Sequence, residues 1–68
     1  MNRMMKWFVY THLPESLQAI SKPCAELAES MDTLPESAEK TAGLRKLLEA
    51  KDCFVRARLE MDADDASK

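Results

Sequence analysis

The five residues Thr33-Leu34-Pro35-Glu36-Ser37 decide the fold, because they separate two stretches in which apolar side chains recur at intervals of three and four residues. Thr33 and Ser37 are both residues that can cap a helix. The pattern predicts a first helix over 14–33 and a second over 36–60. A five-residue connection between two amphipathic helices gives an antiparallel hairpin.

Each predicted helix carries one apolar stripe that we expect to face the core. The first stripe comprises Leu17, Ile20, Cys24, Leu27, Ala28, Met31 and Leu34. The second comprises Leu44, Leu47, Leu48, Phe54, Val55 and Leu59. Pro23 is expected to kink the first helix or to mark a restart, because proline cannot donate a backbone hydrogen bond. The second helix exceeds the first in length, and the apolar overhang predicts a homo-oligomer.

The segments outside the two helices are an arm and a tail. Residues 1–12 contain the β-prone run Trp7-Phe8-Val9-Tyr10, which is too short for a sheet and predicts an N-terminal aromatic arm. Residues 62–68 are small and acidic, and they predict a disordered tail. The expected architecture is an all-α helical-hairpin domain over 1–61, followed by that tail.

Composition excludes several classes of protein. The 68 residues are 46% apolar, with 10 Lys+Arg against 12 Asp+Glu and only one Gly. No run of 18 apolar residues could cross a bilayer, and the start lacks the pattern of a signal peptide, so we expect a cytoplasmic protein without a membrane partner. No segment is basic enough to bind polymeric nucleic acid. A chain this short builds a small core, which favours a partner subunit.

Catalytic and metal-binding patterns are absent from the sequence. His12 has no Ser, Cys or Asp partner at a nucleophile spacing, and a lone histidine before a Leu-Pro turn is more often a turn or packing residue than a catalytic one. Cys24 and Cys53 are too few for a zinc site within one chain. In an antiparallel hairpin they lie about 10 Å apart along the helices, which disfavours an intrachain disulfide. We therefore expect no enzyme, no metal and no cofactor.

The second helix contains an anomaly, because cations lie within its apolar face. Lys40, Lys51 and Arg58 are spaced by 11 and 7 residues, which places them on nearly one line of the helix. An unpaired buried ammonium is unfavourable, so these groups must reach water, meet carboxylates or meet an anion. Three interpretations stay open: long side chains that extend to solvent, a ligand site, and a salt bridge at a subunit interface.

The aromatic arm allows two interpretations. Trp7 and Tyr10 can cover an open core, or they can stack on the planar ring of a ligand. An aromatic side chain together with cations suggests a nucleotide.

A longer pattern resembles a known family. Its first part is Tyr10-Thr-His12-Leu-Pro14 with Gln18 shortly after, and its more specific part is Ser37-Ala-Glu-Lys-Thr-Ala-Gly-Leu-Arg-Lys-Leu-Leu-Glu-Ala50. This layout is similar to that of small phage proteins of the anti-CBASS cyclic-nucleotide-sponge type. The similarity covers about residues 8–58. The sequence differs from that family in Thr11 and in having a single proline after the histidine.

The resemblance implies a function. Proteins of this type are helical hairpins that form oligomers, commonly hexamers, and sequester cyclic di- or trinucleotide signals without degrading them. By position, Tyr10 would stack on a base, and Lys40, Thr41 and Arg45 would be candidates for phosphate. With the cation line and the arm, the expected ligand-binding residues are Tyr10, His12, Lys40, Thr41, Arg45, Lys51 and Arg58. The alternative is a small protein-interaction module, such as a phage adaptor or inhibitor, that binds a host protein through its helix faces.

Overall fold

The computed structural model describes residues 1–66, which form three helical segments and no strand. A 3₁₀ helix, Arg3–Phe8, lies in the arm. It is followed by α1, Glu15–Met31, and by α2, Ala38–Ala66. The all-α hairpin with an N-terminal arm is confirmed. None of the helices in residues 1–66 combines the length and apolar character that a bilayer crossing requires.

Two contacts show that α1 and α2 are antiparallel. The hydroxyl of Ser16, in the first turn of α1, donates to Asp62 Oδ2 near the end of α2 at 3.4 Å. At the other end of the hairpin, Asp32, directly after α1, lies 3.1 Å from the ammonium of Lys40 in the first turn of α2. The α1 helix runs without interruption through Pro23.

One of the two expected capping residues in the interhelical connection caps the start of α2. The Ser37 hydroxyl accepts a hydrogen bond from the Lys40 backbone N–H at 3.0 Å, which satisfies one free donor at the start of α2. The Thr33 hydroxyl does not cap α2. It donates instead to the carbonyl of Ser30 at 2.7 Å, at the end of α1.

The second helix is longer than predicted, ending at Ala66 rather than at residue 60. Residues 62–66 are therefore helical, which corrects the expectation of a disordered tail from residue 62. Arg58 Nε pairs with Asp62 Oδ1 at 3.2 Å one turn later, and Ser16 ties the same aspartate to α1. Residues 67 and 68 of the expected tail lie outside the described residues.

The core lies where the arm meets the hairpin. It consists of Met4, Met5 and Phe8 from the arm, Ala25 and Ala28 from α1, and Leu44 from α2, with Tyr10, Leu47 and Leu48 packed against it. The arm therefore forms half of the core and does not merely cover it.

The buried face of α1 differs from the predicted stripe by about a quarter turn. Ser21, Ala25 and Ala28 are buried, whereas Leu27 and Met31 are 49% and 42% exposed. The small buried residues leave room for the large side chains of the arm, which occupy the space that the larger α1 residues were expected to fill. Leu27 and Met31 of the predicted stripe therefore lie on a surface that the arm does not cover.

Candidate functional site

The structure divides the seven predicted ligand-binding residues into three groups. Tyr10 and His12 lie in the arm, before α1 begins at Glu15. Lys40, Thr41 and Arg45 lie in the first two turns of α2, and Lys51 and Arg58 lie further along the same helix. At about 1.5 Å per residue, Arg58 is roughly 20 Å from Arg45 along the helix axis, so one small ligand on one chain cannot contact both.

Lys40 is buried and uses its ammonium within the chain. Its Nζ donates to Glu36 Oε1 at 2.6 Å, to the Leu34 carbonyl at 2.7 Å and to the Asp32 carbonyl at 2.8 Å. Each of the three N–H donors of the ammonium therefore has an acceptor. Two of these acceptors are backbone carbonyls of the interhelical connection, so Lys40 fixes the path of the chain between the helices. We leave Lys40 out of the ligand site on this ground.

Asn2 extends the Lys40 cluster to the arm. Its backbone N–H donates to Asp32 Oδ1 at 3.0 Å, and its side-chain amide donates to Glu36 at 2.9 Å and to the Thr41 hydroxyl at 3.0 Å. Its Oδ1 caps the 3₁₀ helix by accepting from the Met4 N–H at 2.9 Å. Sequence reasoning missed Asn2, because a single asparagine near the start of a chain carries no spacing pattern. The cluster of Asn2, Asp32, Glu36 and Lys40 anchors the arm.

Charge and hydrogen bonding shift the three titratable groups of this cluster. The backbone N–H of Asn2, and then Lys40, lower the pKa of Asp32 below its usual 3.8. Lys40 is the main cause that lowers the pKa of Glu36 below 4.5. The hydrogen bond with Glu36, followed by that with Asp32, raises the pKa of Lys40 above 10.5 despite the opposing effect of burial. All three groups are stabilised in their charged forms.

These shifts predict how stability depends on pH. The lowered carboxyl pKa values give a contribution that is complete above 4.5 and is lost as pH falls through the folded values. The raised pKa of Lys40 gives a contribution that is complete below 10.5 and is lost as pH rises further. The melting temperature, followed by circular dichroism, should therefore fall on both sides of a neutral plateau.

Two variants test whether this cluster causes the fall in melting temperature at low pH. Asp32→Asn should lower the melting temperature at neutral pH and make the acid decrease smaller, because one of the two responsible carboxyls is gone. Glu49→Gln, at an exposed position of α2, is the matched control and should leave the profile unchanged. Identical profiles for wild type and Asp32→Asn would show that the cluster does not govern acid unfolding.

Lys51 binds the arm. Its Nζ donates to the Trp7 carbonyl at 2.9 Å, lies 5.9 Å from the centre of the Phe8 ring, and is 3.6 Å from Asp52 Oδ1. Its side chain is only 12% exposed. The carbonyl that it binds is at the end of the 3₁₀ helix, where cations are favourable. The anomalous cation in the apolar face thus has an intrachain partner.

Lys51→Met tests this contact. Methionine preserves the buried aliphatic part of the side chain but leaves the Trp7 carbonyl without its donor, so we expect a loss of about 0.5–1.5 kcal/mol in the free energy of unfolding. Urea unfolding measures it. Lys22→Met, at an exposed site on α1, is the control and should change stability by about 0.5 kcal/mol or less. Equal or higher stability of Lys51→Met would contradict the role of this contact.

Arg58 lies near the end of the hairpin where α1 begins, because its partner Asp62 also contacts Ser16. Its ion pair with Asp62 does not have hydrogen-bond geometry, and its Nε is a buried donor without a hydrogen bond. It lines an open apolar cleft of about 450 Å³ together with Ile20, Phe54 and Met61.

The remaining predicted residues of α2 line a polar cleft of about 590 Å³ at the amino end of the helix. Thr41 and Arg45 meet Arg3 of the arm there, next to the cap residue Ser37. Neither guanidinium forms an ion pair or a hydrogen bond with any residue in 1–66, and both side chains are exposed. The Thr41 hydroxyl accepts from Asn2, which leaves its own proton available to a ligand. Two unpaired guanidiniums, a hydroxyl and a helix amino end are groups that bind anions.

Arg3 was not predicted from the sequence, because its position depends on how the arm docks. It also lines a second cleft of about 610 Å³, which contains Tyr10, Lys6 and Thr11. Arg3 therefore borders both the polar cleft of Thr41 and Arg45 and the cleft that contains the half-buried Tyr10. We call the combined surface of Arg3, Tyr10, Thr41 and Arg45 the arginine cleft.

Gln18 shapes the turn that carries Tyr10 and His12. Its amide donates to the carbonyls of Leu13 at 2.7 Å and Thr11 at 3.3 Å, and the turn is closed by the Leu13 N–H, which donates to the Tyr10 carbonyl at 3.0 Å. His12 is exposed and forms no hydrogen bond with a described residue. The glutamine of the quoted motif therefore has a positioning role.

No group of three or more His, Cys, Asp or Glu side chains in the part of the chain that the structure describes could hold a metal ion. Both cysteines are free, with Cys24 half-buried and Cys53 exposed. Comparisons of the chain with protein-family models, with curated proteins and with solved structures found no match.

Proposed function

We propose that this chain is a phage immune-evasion protein that binds cyclic oligonucleotide or related nucleotide second messengers and sequesters them without cleavage. In this proposal it acts as a homo-oligomer in the cytoplasm of the host cell. The observation that carries the proposal is the arginine cleft, in which the unpaired guanidiniums of Arg3 and Arg45 lie beside Thr41. The resemblance of Tyr10–Gln18 and Ser37–Ala50 to the sponge-type proteins supports it.

The chemistry of the cleft suits a phosphate with an attached ring. A guanidinium can donate two parallel hydrogen bonds to phosphate, and such charge-assisted bonds are about twice as strong as neutral ones. The Tyr10 residue lines the other part of the arginine cleft, and stacking of a base on an aromatic side chain contributes about 1–3 kcal/mol. Two such phosphate contacts and one stacked base are compatible with micromolar affinity, which corresponds to about −8 kcal/mol.

The same groups support binding without cleavage. Guanidinium and hydroxyl groups hold an anion but do not accept a proton near neutral pH. Glu36 lines the part of the cleft that holds Thr41 and Arg45, and its contacts with Lys40 and Asn2 lower its pKa. It is therefore a weak general base.

A thermal-shift panel tests the proposal. Cyclic dinucleotides, cyclic trinucleotides and adenosine-diphosphate-ribose derivatives are added to the full chain, and a ligand at 100 times its Kd should stabilise the fold by about 2.7 kcal/mol. The shift should decrease as salt rises, because the contacts involve charge. Absence of a shift with every member at millimolar concentration would overturn the proposal.

A second candidate function is the protein-interaction module. It is favoured by the exposed apolar side chains on the surface that the arm leaves uncovered, since Leu27, Phe54 and Met61 are each more than 40% exposed. This candidate requires no nucleotide, so the thermal-shift panel separates the two functions.

A further inference from the structure

One broad surface of the hairpin has no covering segment among residues 1–66. The arm fills the groove between α1 and α2 on one side, and no residue of 1–13 lines the two apolar clefts on the uncovered side. We call this surface the open face. The residues that line its two clefts include Ile20, Cys24, Leu27 and Met31 from α1 and Gly43, Leu47, Phe54, Ala57 and Met61 from α2. The helical spacing places the half-buried Ala50 on the same side of α2, between Leu47 and Phe54.

The α2 residues of the open face recur at alternating intervals of four and three residues, which is the spacing of a helix-to-helix seam. Small and large side chains alternate strictly along this seam, beginning with glycine and ending with methionine. If a second α2 packs against the first in the antiparallel direction, Gly43 meets the partner's Met61, Leu47 meets the partner's Ala57, and Ala50 meets the partner's Phe54. Each layer then combines one small and one large residue, as close packing of facing helices requires.

Gly43 supports this arrangement independently. Glycine inside a helix is unfavourable relative to alanine, so a helical glycine needs a reason. Residues 1–66 supply no such reason, because a Cβ at Gly43 would meet none of their atoms within 4 Å and the residue does not have a positive φ. A methionine of a second chain packed over the position supplies the reason.

The charges beside the seam are complementary in the same register. Lys46 and Glu60 each lie one residue before an apolar seam position, and both are exposed without a partner in residues 1–66. In the antiparallel register, Lys46 of one chain lies opposite the partner's Glu60, and the twofold axis repeats this pair. Cys53 occupies the equivalent flanking position at the centre, so the two copies of Cys53 lie near the axis.

We infer that a second copy of this chain covers the open face, with the two α2 helices packed antiparallel about a twofold axis near Cys53. This interface deepens the oligomeric part of the proposed function and does not depend on the ligand. It leaves the arginine cleft accessible, because Arg3, Thr41 and Arg45 do not line the clefts of the open face.

Sedimentation equilibrium of the full chain without nucleotide tests the interface. The expected mass is that of two chains or a multiple of two. Phe54→Lys should raise the dissociation constant of the dimer at least tenfold with helicity retained, because Phe54 is 58% exposed in the single chain. Leu59→Lys is the matched control, since Leu59 is 48% exposed but lies outside the seam, and it should leave the mass unchanged. Gly43→Leu should dissociate the dimer without loss of helicity, because the added Cβ meets no atom of residues 1–66 within 4 Å and leucine favours a helix more than glycine does.

Charge reversal and crosslinking test the register. Lys46→Glu and Glu60→Lys should each weaken the dimer severalfold, and the double variant should recover it. A short thiol-specific crosslinker should join two chains of the Cys24→Ser variant through Cys53.

A single-chain mass for wild type at all concentrations would overturn the interface. Equal loss of dimer affinity in Phe54→Lys and Leu59→Lys would also overturn it. If the double charge variant dimerises no more tightly than the two single variants, the antiparallel register is wrong. Nucleotide binding is measured separately, so failure of the interface and failure of the ligand proposal are distinguishable.

Discussion

Phe8→Ala should remove most of the stability of this protein. Phe8 is 2% exposed and lies in the core between arm, α1 and α2. Truncation of a buried phenylalanine to alanine lowers the free energy of unfolding by about 3–5 kcal/mol, whereas domains of this size have a total of about 3–10 kcal/mol. Urea unfolding followed by circular dichroism should show a much weaker transition or none.

The neighbouring aromatic residue provides the control. The Trp7 side chain is 55% exposed and is in contact with Lys6, whose ammonium lies 5.1 Å from the ring centre. Trp7→Ala should therefore change the free energy of unfolding by about 1 kcal/mol or less. Equal effects of the two substitutions would show that the arm is peripheral and that Phe8 is not part of the core.

Arg45→Glu should lower the affinity for a nucleotide by about 100-fold or more. A hydrogen bond to a charged group contributes about 1.5–3 kcal/mol, and the introduced carboxylate also repels the phosphate. Arg45 is exposed and has no partner in residues 1–66, so the substitution leaves the fold intact. Isothermal titration calorimetry measures the loss, and Arg3→Glu should produce one of similar size.

Arg56→Glu separates a specific contact from a general effect of charge. Arg56 is an exposed cation of the same helix, about 16 Å further along its axis, and it donates a hydrogen bond to Cys53 Sγ at 3.3 Å. The variant has the same net charge as Arg45→Glu and should bind within a factor of about 3 of wild type, since screening weakens charges at this distance. Equal losses in the two variants would contradict a site at the arginine cleft.

The hairpin was predictable because its signals are local. The break at 33–37, the cap residue Ser37 and the three- and four-residue spacing of apolar residues depend only on neighbours in sequence. The cation line was also visible in the sequence, because Lys40 and Lys51 stand out among apolar neighbours. Their partners were not visible, since these are backbone carbonyls at Leu34 and Trp7 that any sequence would supply.

The features that sequence reasoning missed depend on docking of the arm. The buried face of α1 is set by the small residues Ser21, Ala25 and Ala28, which carry little apolar signal of their own. Arg3 joins the cleft only because Asn2 anchors the arm beside α2. The extension of α2 to Ala66 depends in part on contacts of Asp62, one of which crosses to Ser16. Each of these features depends on contacts between segments that are distant in sequence.

Calorimetry followed by recovery of the ligand tests the central claim most directly. The full chain is titrated with the cyclic di- and trinucleotides and the adenosine-diphosphate-ribose derivatives, the complex is digested with protease, and the released ligand is analysed by chromatography. We predict saturable binding of at least one ligand at micromolar Kd or below and its recovery as the intact molecule. Cleaved product would show an enzyme, and absence of binding by every ligand would favour the protein-interaction module; either result would contradict sequestration of a nucleotide without cleavage.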